Sequence, residues 1–394
     1  MSVKIIDLGM HPHADTFVRE EQLGLSEPVL PLECFLNKET GAITTGVQTS
    51  AHDRYIAYDY SYTSSNSKFA KEHWLKFADS VSRKVDLCRG SKVVEIGSND
   101  GFLTKQFKDM GCDTLGVDPS EYMTKLASQL GVETFCEFFT SPTSEVIVRN
   151  FGQADLVIAN NVLNHSNDVE DFILAVSNLL KEDSGVFVFE LPYWYYTIKD
   201  RKFDQIYHEH VTYFTVKYAY ELLSKYNMEI SDVEVVEYHG GSLRVFASKK
   251  RTVSKSEKVK QMIFEEEQYG LFTESTYVEF MKDLFDERSA FLRKIHNLKL
   301  EGCSIVGVGA PAKGNTLLNF YKLDNSVIDY ITDASPHKQG KFTPLSRIPI
   351  VGDEIFSQYD EVYAVVLSWN ISDLVKEKLR EINNKIVFLE CKPL

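Results

Sequence analysis

Lys92-Val-Val-Glu-Ile-Gly-Ser-Asn-Asp-Gly101 is an apolar run that breaks into Glu95-x-Gly97-x-x-x-Gly101. Glycine is needed where a strand turns sharply and a ligand presses close to the backbone. A second apolar run ends at Leu115-Gly-Val-Asp118, which puts an acid 21 residues past Gly97. At that spacing the carboxylate of a second strand meets a pair of ribose hydroxyls. Gly97, Gly101 and Asp118 therefore point to an adenosine-type nucleoside, with Glu95, Asn99 and Asp100 around the same turn. Gly-x-x-x-Gly in place of Gly-x-Gly-x-x-Gly suits a cofactor without phosphates, S-adenosylmethionine, better than a dinucleotide. The other reading is a strand-to-helix turn that holds no ligand.

Working outward, a helix over about 66–86 precedes this strand, and strand and helix alternate after it. Asp155-Leu-Val-Ile-Ala-Asn-Asn161 ends the fourth strand and Gly185-Val-Phe-Val-Phe-Glu-Leu-Pro192 the fifth. Such alternation predicts a parallel sheet. Residues 229–237 and 242–248 flank Gly240-Gly241 and predict a closing antiparallel hairpin. The expected fold is α/β, with a Rossmann-like class I methyltransferase core over 66–250, by analogy with the layout of such enzymes. A small β-rich lobe over 1–65, punctuated by Gly9, Pro12, Pro28, Pro31 and Gly41, precedes it as short strands and turns. Residues 251–300 have helical periodicity, either a partner-binding helix or a connecting helical pair. A second, smaller Rossmann-like α/β unit is expected over 301–394, with strands at 303–308, 327–332, 362–367 and 385–389.

The 394 residues suit two or three domains. A net charge of −14 argues against nucleic-acid or anionic membrane partners. No apolar run approaches the ~20 residues of a membrane helix, and the first residues do not read as a secretory signal. Six cysteines without a Cys-x-x-Cys pair fit a reduced, cytoplasmic enzyme.

Tyr207-His-Glu-His210 comes after the fifth strand, and loops beyond the carboxyl ends of parallel strands bind ligands. Its histidines are a general base or acid, a metal pair, or satisfied structural residues. On an extended segment His208 and His210 would point to opposite sides. Asn160, Asn161, Asn164 and His165, at the end of the fourth strand, offer neutral donors and acceptors to a cofactor or sugar, or simply cap the strand. Tyr58-Asp-Tyr-Ser-Tyr-Thr-Ser-Ser-Asn-Ser67, with His73, is a lid or an exposed aromatic loop. Gly307-Val-Gly-Ala-Pro-Ala-Lys-Gly-Asn-Thr316 opens a helix after a strand, and Asp333 lies 26 residues past Gly307. It is a nucleotide or diphosphate site at a helix start, with Lys313 as the cation, or a structural turn. It is not a Walker loop.

Taken together, Tyr62 to Ser67 with His73, Glu95 to Gly101, Ala159 to Val162 with His165, Phe203 to His210, Gly240 to Arg244 and Gly307 to Thr316 resemble a known family. It is the sugar C-methyltransferase family that builds branched deoxysugars, such as tetronitrose and kijanose, for antibiotics and surface glycans. The resemblance implies S-adenosylmethionine as cofactor and a nucleoside-diphosphate-linked 4-keto-deoxysugar as substrate, methylated beside the ketone at C-3. Carried over residue by residue, His210 is the base, Glu209 and Tyr207 orient it or stabilise the enolate oxygen, and Tyr62 closes over the sugar. Glu95, Gly97, Asn99, Asp100, Gly101, Asp118, Asn160 and Asn161 fall to the cofactor. His165, Glu190, Arg244, Lys313 and Asn315 fall to the substrate. Members of the family usually begin with a zinc module of two Cys-x-x-Cys pairs. Here the chain starts too late for the first pair, and Asn37 and Thr40 stand in place of the second, so no metal is expected. O- or N-methylation of a nucleotide sugar, a catalytically silent binding protein, and an oxidoreductase using the Gly307 loop are the alternatives.

Overall fold

The computed structural model describes residues 2–51, 63–65, 67–238, 240–249 and 256–391. The chain opens with β1 (Ser2–Pro12), β2 (Val29–Asn37) and β3 (Ile43–Thr45), then α1 (Lys68–Lys84). Next come β4 (Lys92–Ile96), α2 (Phe102–Asp109), β5 (Asp113–Val117), α3 (Glu121–Gln129), β6 (Thr134–Phe135) and α4 (Ser141–Asn150). They are followed by β7 (Leu156–Asn160), α5 (Val169–Leu179), β8 (Val186–Pro192), α6 (Trp194–Lys199), β9 (Thr212–Tyr213) and α7 (Val216–Lys225). The hairpin β10 (Met228–Val236) and β11 (Ser242–Lys249) leads to α8 (Glu257–Gln268) and α9 (Glu274–Leu300). The last stretch is β12 (Ile305–Val308), α10 (Ala312–Tyr321), β13 (Tyr330–Thr332), β14 (Ile350–Val351), β15 (Val362–Val366), α11 (Ser372–Ile382) and β16 (Ile386–Glu390).

Three sheets result among the described residues. The central one runs β10-β11-β8-β7-β4-β5-β6. Its strands from β8 to β6 are parallel, and the β10–β11 hairpin closes the edge antiparallel, as expected. Val93, Leu156, Ile158 and Val188 face α1 and α2 on one side, while Val94, Val157, Phe187 and Phe189 face α5 and α7 on the other. A strand buried on both faces reads as an unbroken apolar run, which is why β4, β7 and β8 were legible. The second parallel sheet, β14-β13-β12-β15-β16, repeats the plan on a smaller scale and contains a short strand, β14, that periodicity missed.

The N-terminal strands are longer than expected. β1 runs for 11 residues and β2 for nine. Gly9, at φ +84, bends β1 without ending it, and the β1–β2 register shifts between Asp7 and Met10. Pro31 pairs with Met10, beside that irregularity, where a missing N–H costs the ladder least. β9 leaves the central unit and pairs with β3, completing the sheet β1-β2-β3-β9. The 27-residue α9 joins Ile6, Leu32, Tyr277, Phe280, Phe320 and Tyr321 into one apolar core, so it packs as well as connects. Asn37 and Thr40 close the β2–β3 turn: Asn37 Oδ1 accepts from the amides of Glu39 (3.0 Å) and Thr40 (3.3 Å), and Thr40 Oγ1 from that of Ala42.

Candidate active site

β4 ends in a turn whose shape depends on glycine. Gly97 adopts φ +66, and a Cβ there would lie 2.3 Å from Val162 Cγ2. Gly101 adopts φ +76 and would meet Ala127 at 2.8 Å. Asp118, at the end of β5, takes the amide of Asn99 on Oδ2 and that of Ser120 on Oδ1, both at 2.9 Å. Burial raises its pKa against those two bonds. Glu95 faces inward and accepts from the Thr104 hydroxyl of α2. Burial, with Asp100 and Asp118 nearby, pushes its pKa up to about 8.

Asn99 and Asp100 turn toward the segment before α1. Asn99 Oδ1 accepts from Ser64 N at 2.8 Å, and Asp100 accepts from the hydroxyls of Ser64 (2.8 Å) and Ser65 (2.6 Å). Across the crevice, β7 ends at Asn160. Among the described residues, both side-chain atoms of Asn160 lack a hydrogen-bond partner, and so do those of Asn164, which is 3% exposed. A buried amide without a partner is costly. Two such amides flank Val162, which packs on the Gly97 turn, and they suit a polar ligand such as the amino-acid and ribose parts of S-adenosylmethionine. Asn161 sits at φ +54 and donates its N–H to the carbonyl of Glu190 at 2.6 Å.

The Tyr207–His210 segment is a turn, closed by His210 N donating to Tyr207 O at 2.9 Å, and not the extended stretch expected. α6 and a 3-10 turn at Phe203–Gln205 separate it from β8. The two histidines still face different surroundings. His208 Nε2 donates to Pro31 O (3.1 Å) in the N-terminal sheet, and burial lowers its pKa. His210 is 5% exposed, and its Nδ1 lies 2.8 Å from the carbonyl of Gln205. A carbonyl only accepts, so Nδ1 carries the hydrogen and Nε2 holds the lone pair in the neutral ring. The His165 ring meets His210 edge-on at 4.8 Å, and the Tyr207 ring lies 4.0 Å away.

Three parts of the chain hold the residues that flank this turn. Val211 N donates to Asn164 O (2.8 Å) in the central unit, and Thr45 N to Val211 O (3.0 Å) in the N-terminal sheet. Thr316 Oγ1 of α10 donates to Ile206 O at 3.2 Å, and Trp369 Nε1 to Asp204. The end of β7, whose Val162 crowds Gly97, thus leads through His165 to a histidine held by the Gln205 carbonyl in one tautomer.

Residues 67–233 match the methyltransferase domain family, and residues 237–388 match the family described as the C-methyltransferase C-terminal domain. The chain is 30% identical over 387 residues to the C-methyltransferase NovU of Streptomyces niveus, an alignment covering 98% of this chain and 90% of that one. The chain belongs to the S-adenosylmethionine-dependent C-methyltransferase family. A ubiquinone biosynthesis O-methyltransferase of Bordetella avium is 29% identical over 101 residues, covering 25% of this chain and 42% of that one. Magnesium protoporphyrin IX methyltransferase of Synechocystis, solved with S-adenosylmethionine, is 15% identical at a TM-score of 0.36, covering 48% of this chain and 88% of that one.

In this C-methyltransferase several of the expected site residues make contacts that the sequence reading did not anticipate. Glu190 and Arg244, expected on the substrate, are 0% and 5% exposed and stand directly opposite each other on β8 and β11. Arg244 gives Glu190 Oε2 two bonds (2.9 and 2.8 Å), and His73 Nε2 lies 2.7 Å from Oε1. The guanidinium rests on Phe77, and His73 stacks on Tyr238 at 3.9 Å. This buried cluster pins α1 to the sheet. Asn315, expected at a diphosphate, is 2% exposed and donates its Nδ2 to Ala14 O at 2.5 Å, docking α10 on the N-terminal lobe. Lys313 lies 5.3 Å over the Trp369 ring. His165 and Glu209 are half-buried beside His210. Tyr62, with most of the tyrosine-rich loop, lies outside the described residues. Sequence reasoning missed Gln205, whose contribution is a backbone carbonyl and leaves no trace in residue type.

Proposed function

We propose that this C-methyltransferase acts on a nucleoside-diphosphate-linked 4-keto-deoxysugar, at the carbon beside the ketone, C-3. What supports the reading is the bond from His210 Nδ1 to Gln205 O, which puts the lone pair of the neutral ring on Nε2, the atom that would take a proton. A C–H beside a carbonyl is acidic enough for an imidazole whose pKa lies near the working pH. His210 Nε2 removes that proton, and the C–H electron pair passes into an enolate whose carbon is the nucleophile. Tyr207 and His165, against the imidazole, orient it and help neutralise the enolate oxygen, with Glu209 on the same turn. When bound, S-adenosylmethionine supplies an electrophilic methyl group on a sulfonium. Gly97, Gly101, Asp118, Asn160 and Asn164 would hold it, with Asn99 and Asp100 shaping the turn and Glu95 supporting it from beneath.

The Gly307 to Thr316 loop, with Lys313 above Trp369, would receive the diphosphate end of the substrate. None of these steps needs a metal. The six free cysteines suit a cytoplasmic setting. The test is incubation with S-adenosylmethionine and a panel of nucleotide-linked 4-ketosugars, read by mass and by the position of the new methyl. A ketosugar that gains one methyl on the carbon beside the ketone is expected. Methylation only on oxygen or nitrogen, or of none of the panel, would sink the assignment.

A further inference from the structure

We propose that the groove between β1 and α9 is a separate binding site for an organic phosphate, a phosphate or diphosphate joined to an apolar or aromatic body of nucleotide size. The groove encloses about 640 Å³, within the ~300–1,000 Å³ usual for small-molecule sites. Ile5, Leu8 and Tyr277 are buried beneath it, and Val278 and Phe285 stand 70% and 44% exposed along its α9 wall. Two cations, Arg288 and Lys322, complete the lining.

The charges in the groove do not balance. Its acids are already engaged, Asp7 with Lys4 at 2.9 Å and Glu274 with Lys38. Lys4 is shared further with Glu33 at 3.0 Å. Arg288 and Lys322 have no carboxylate partner among the described residues; Arg288 rests 5.4 Å from the Phe320 ring instead. Burial lowers the pKa of Lys322, and the neighbouring charge of Arg288 lowers it further. Two adjacent unpaired cations in a chain of net charge −14 are an arrangement an anion would relieve. One carboxylate neutralises one charge, whereas a phosphate ester or diphosphate matches both and suits the guanidinium fork. The apolar wall then covers the body that carries the phosphate.

The groove is distinct from the Gly307 loop. Lys322 caps the C-terminal end of α10, at φ +54, where glycine or asparagine is commoner. Lys313 sits at the other end of this ten-residue helix, about 14 Å away along its axis at ~1.5 Å per residue. A ligand in the groove would tie the N-terminal sheet to α9.

The experiment titrates the full chain with uridine diphosphate by calorimetry. Arg288→Gln combined with Lys322→Gln should abolish one binding event or weaken it at least tenfold, and Lys313→Ala should leave that event alone. A single event lost in Lys313→Ala but kept in the double variant would overturn the proposal and leave the Gly307 reading standing. The reverse pattern would do the opposite. Inorganic pyrophosphate should bind the groove at least tenfold more weakly than uridine diphosphate, and equal affinity would refute the apolar half of the claim. In case the double variant fails to fold, hydrogen exchange on the wild type supplies a second reading. Residues 4–9 and 277–288 should gain protection with uridine diphosphate, and no change there overturns the site. A dimer dissociated by Val278→Glu, with no such protection, would assign the groove to a second copy of the chain instead.

Discussion

Asp118 and Asp333 hold the same pair of bonds in two different sheets. Asp118 takes the amides of Asn99 and Ser120, both at 2.9 Å, and Asp333 takes those of Ala310 and Ser335, both at 2.8 Å. In each unit the glycine of the preceding turn donates across to the second strand, Gly97 to Val117 O and Gly309 to Thr332 O, both at 2.7 Å. One oxygen shapes the ligand-facing turn and the other starts the next loop. Each carboxylate therefore has a structural duty, and each oxygen keeps a lone pair for a hydroxyl.

Asp118→Ala should lose both duties. Affinity for S-adenosylhomocysteine is expected to fall by at least ~1.5 kcal/mol, the net worth of a charged hydrogen bond, with a lower Tm. Calorimetry that returns the wild-type affinity would remove Asp118 from the cofactor site.

His210→Asn keeps the size of the side chain but cannot take a proton near neutral pH. Turnover should drop by the ~10²–10⁴-fold associated with losing a general base, with substrate affinity little changed. With S-adenosylhomocysteine bound, the wild type should exchange solvent deuterium into the carbon beside the ketone. Wild-type exchange rates in the variant would move the base elsewhere. His208→Asn, which loses a bond to Pro31, should act on stability more than on this exchange.

Lys313→Ala should raise the KM for the nucleotide sugar several-fold and leave that for S-adenosylmethionine nearly alone. Its charge lies beside Trp369 at the start of α10, which follows β12, a strand of a different sheet from the β4 that leads into the Gly97 turn. Equal effects on both substrates, or on neither, would count against a diphosphate role.

Glu266 of α8 is fully buried and accepts from Tyr193 Oη (2.8 Å), Val216 N (2.6 Å) and Lys217 N (3.1 Å) at the start of α7. Burial pushes its pKa up to about 7 from an ordinary 4.5. The folded chain thus binds this proton more tightly than the unfolded one. The stability it confers is complete below about pH 4.5 and is lost as pH rises through 7. Between pH 5.5 and 8 the Tm of the wild type should fall by several degrees more than that of Glu266→Gln. Parallel Tm curves would show that Glu266 does not titrate in this range.

Gly97→Ala places a Cβ at φ +66 against Val162. Backbone strain alone costs ~1–3 kcal/mol, and the contact adds to it. Val162→Ala should recover part of the lost stability and not all of it, since it relieves the clash but not the dihedral. Complete rescue in chemical denaturation would mean that only the contact mattered.

Periodicity and turn chemistry are local, so the sequence by itself determined the order of strands in the central unit, the glycine turn after β4, the β10–β11 hairpin and the second α/β unit. Asp118 and Asp333 were legible for the same reason, since each ends an apolar run at a set distance from a glycine. Tertiary structure alone decided how distant pieces meet. β9 crosses to the N-terminal sheet because its partner, β3, lies about 170 residues earlier, a pairing of two-residue length that no local pattern marks. Glu190 and Arg244 look free in the sequence, yet antiparallel register sets them face to face. Asn315 reads as a phosphate ligand until Ala14 takes its amide. His210 was visible as a histidine, but the tautomer it holds rests on the carbonyl of Gln205. Every residue has such a carbonyl, so only the path of the folded chain singles one out.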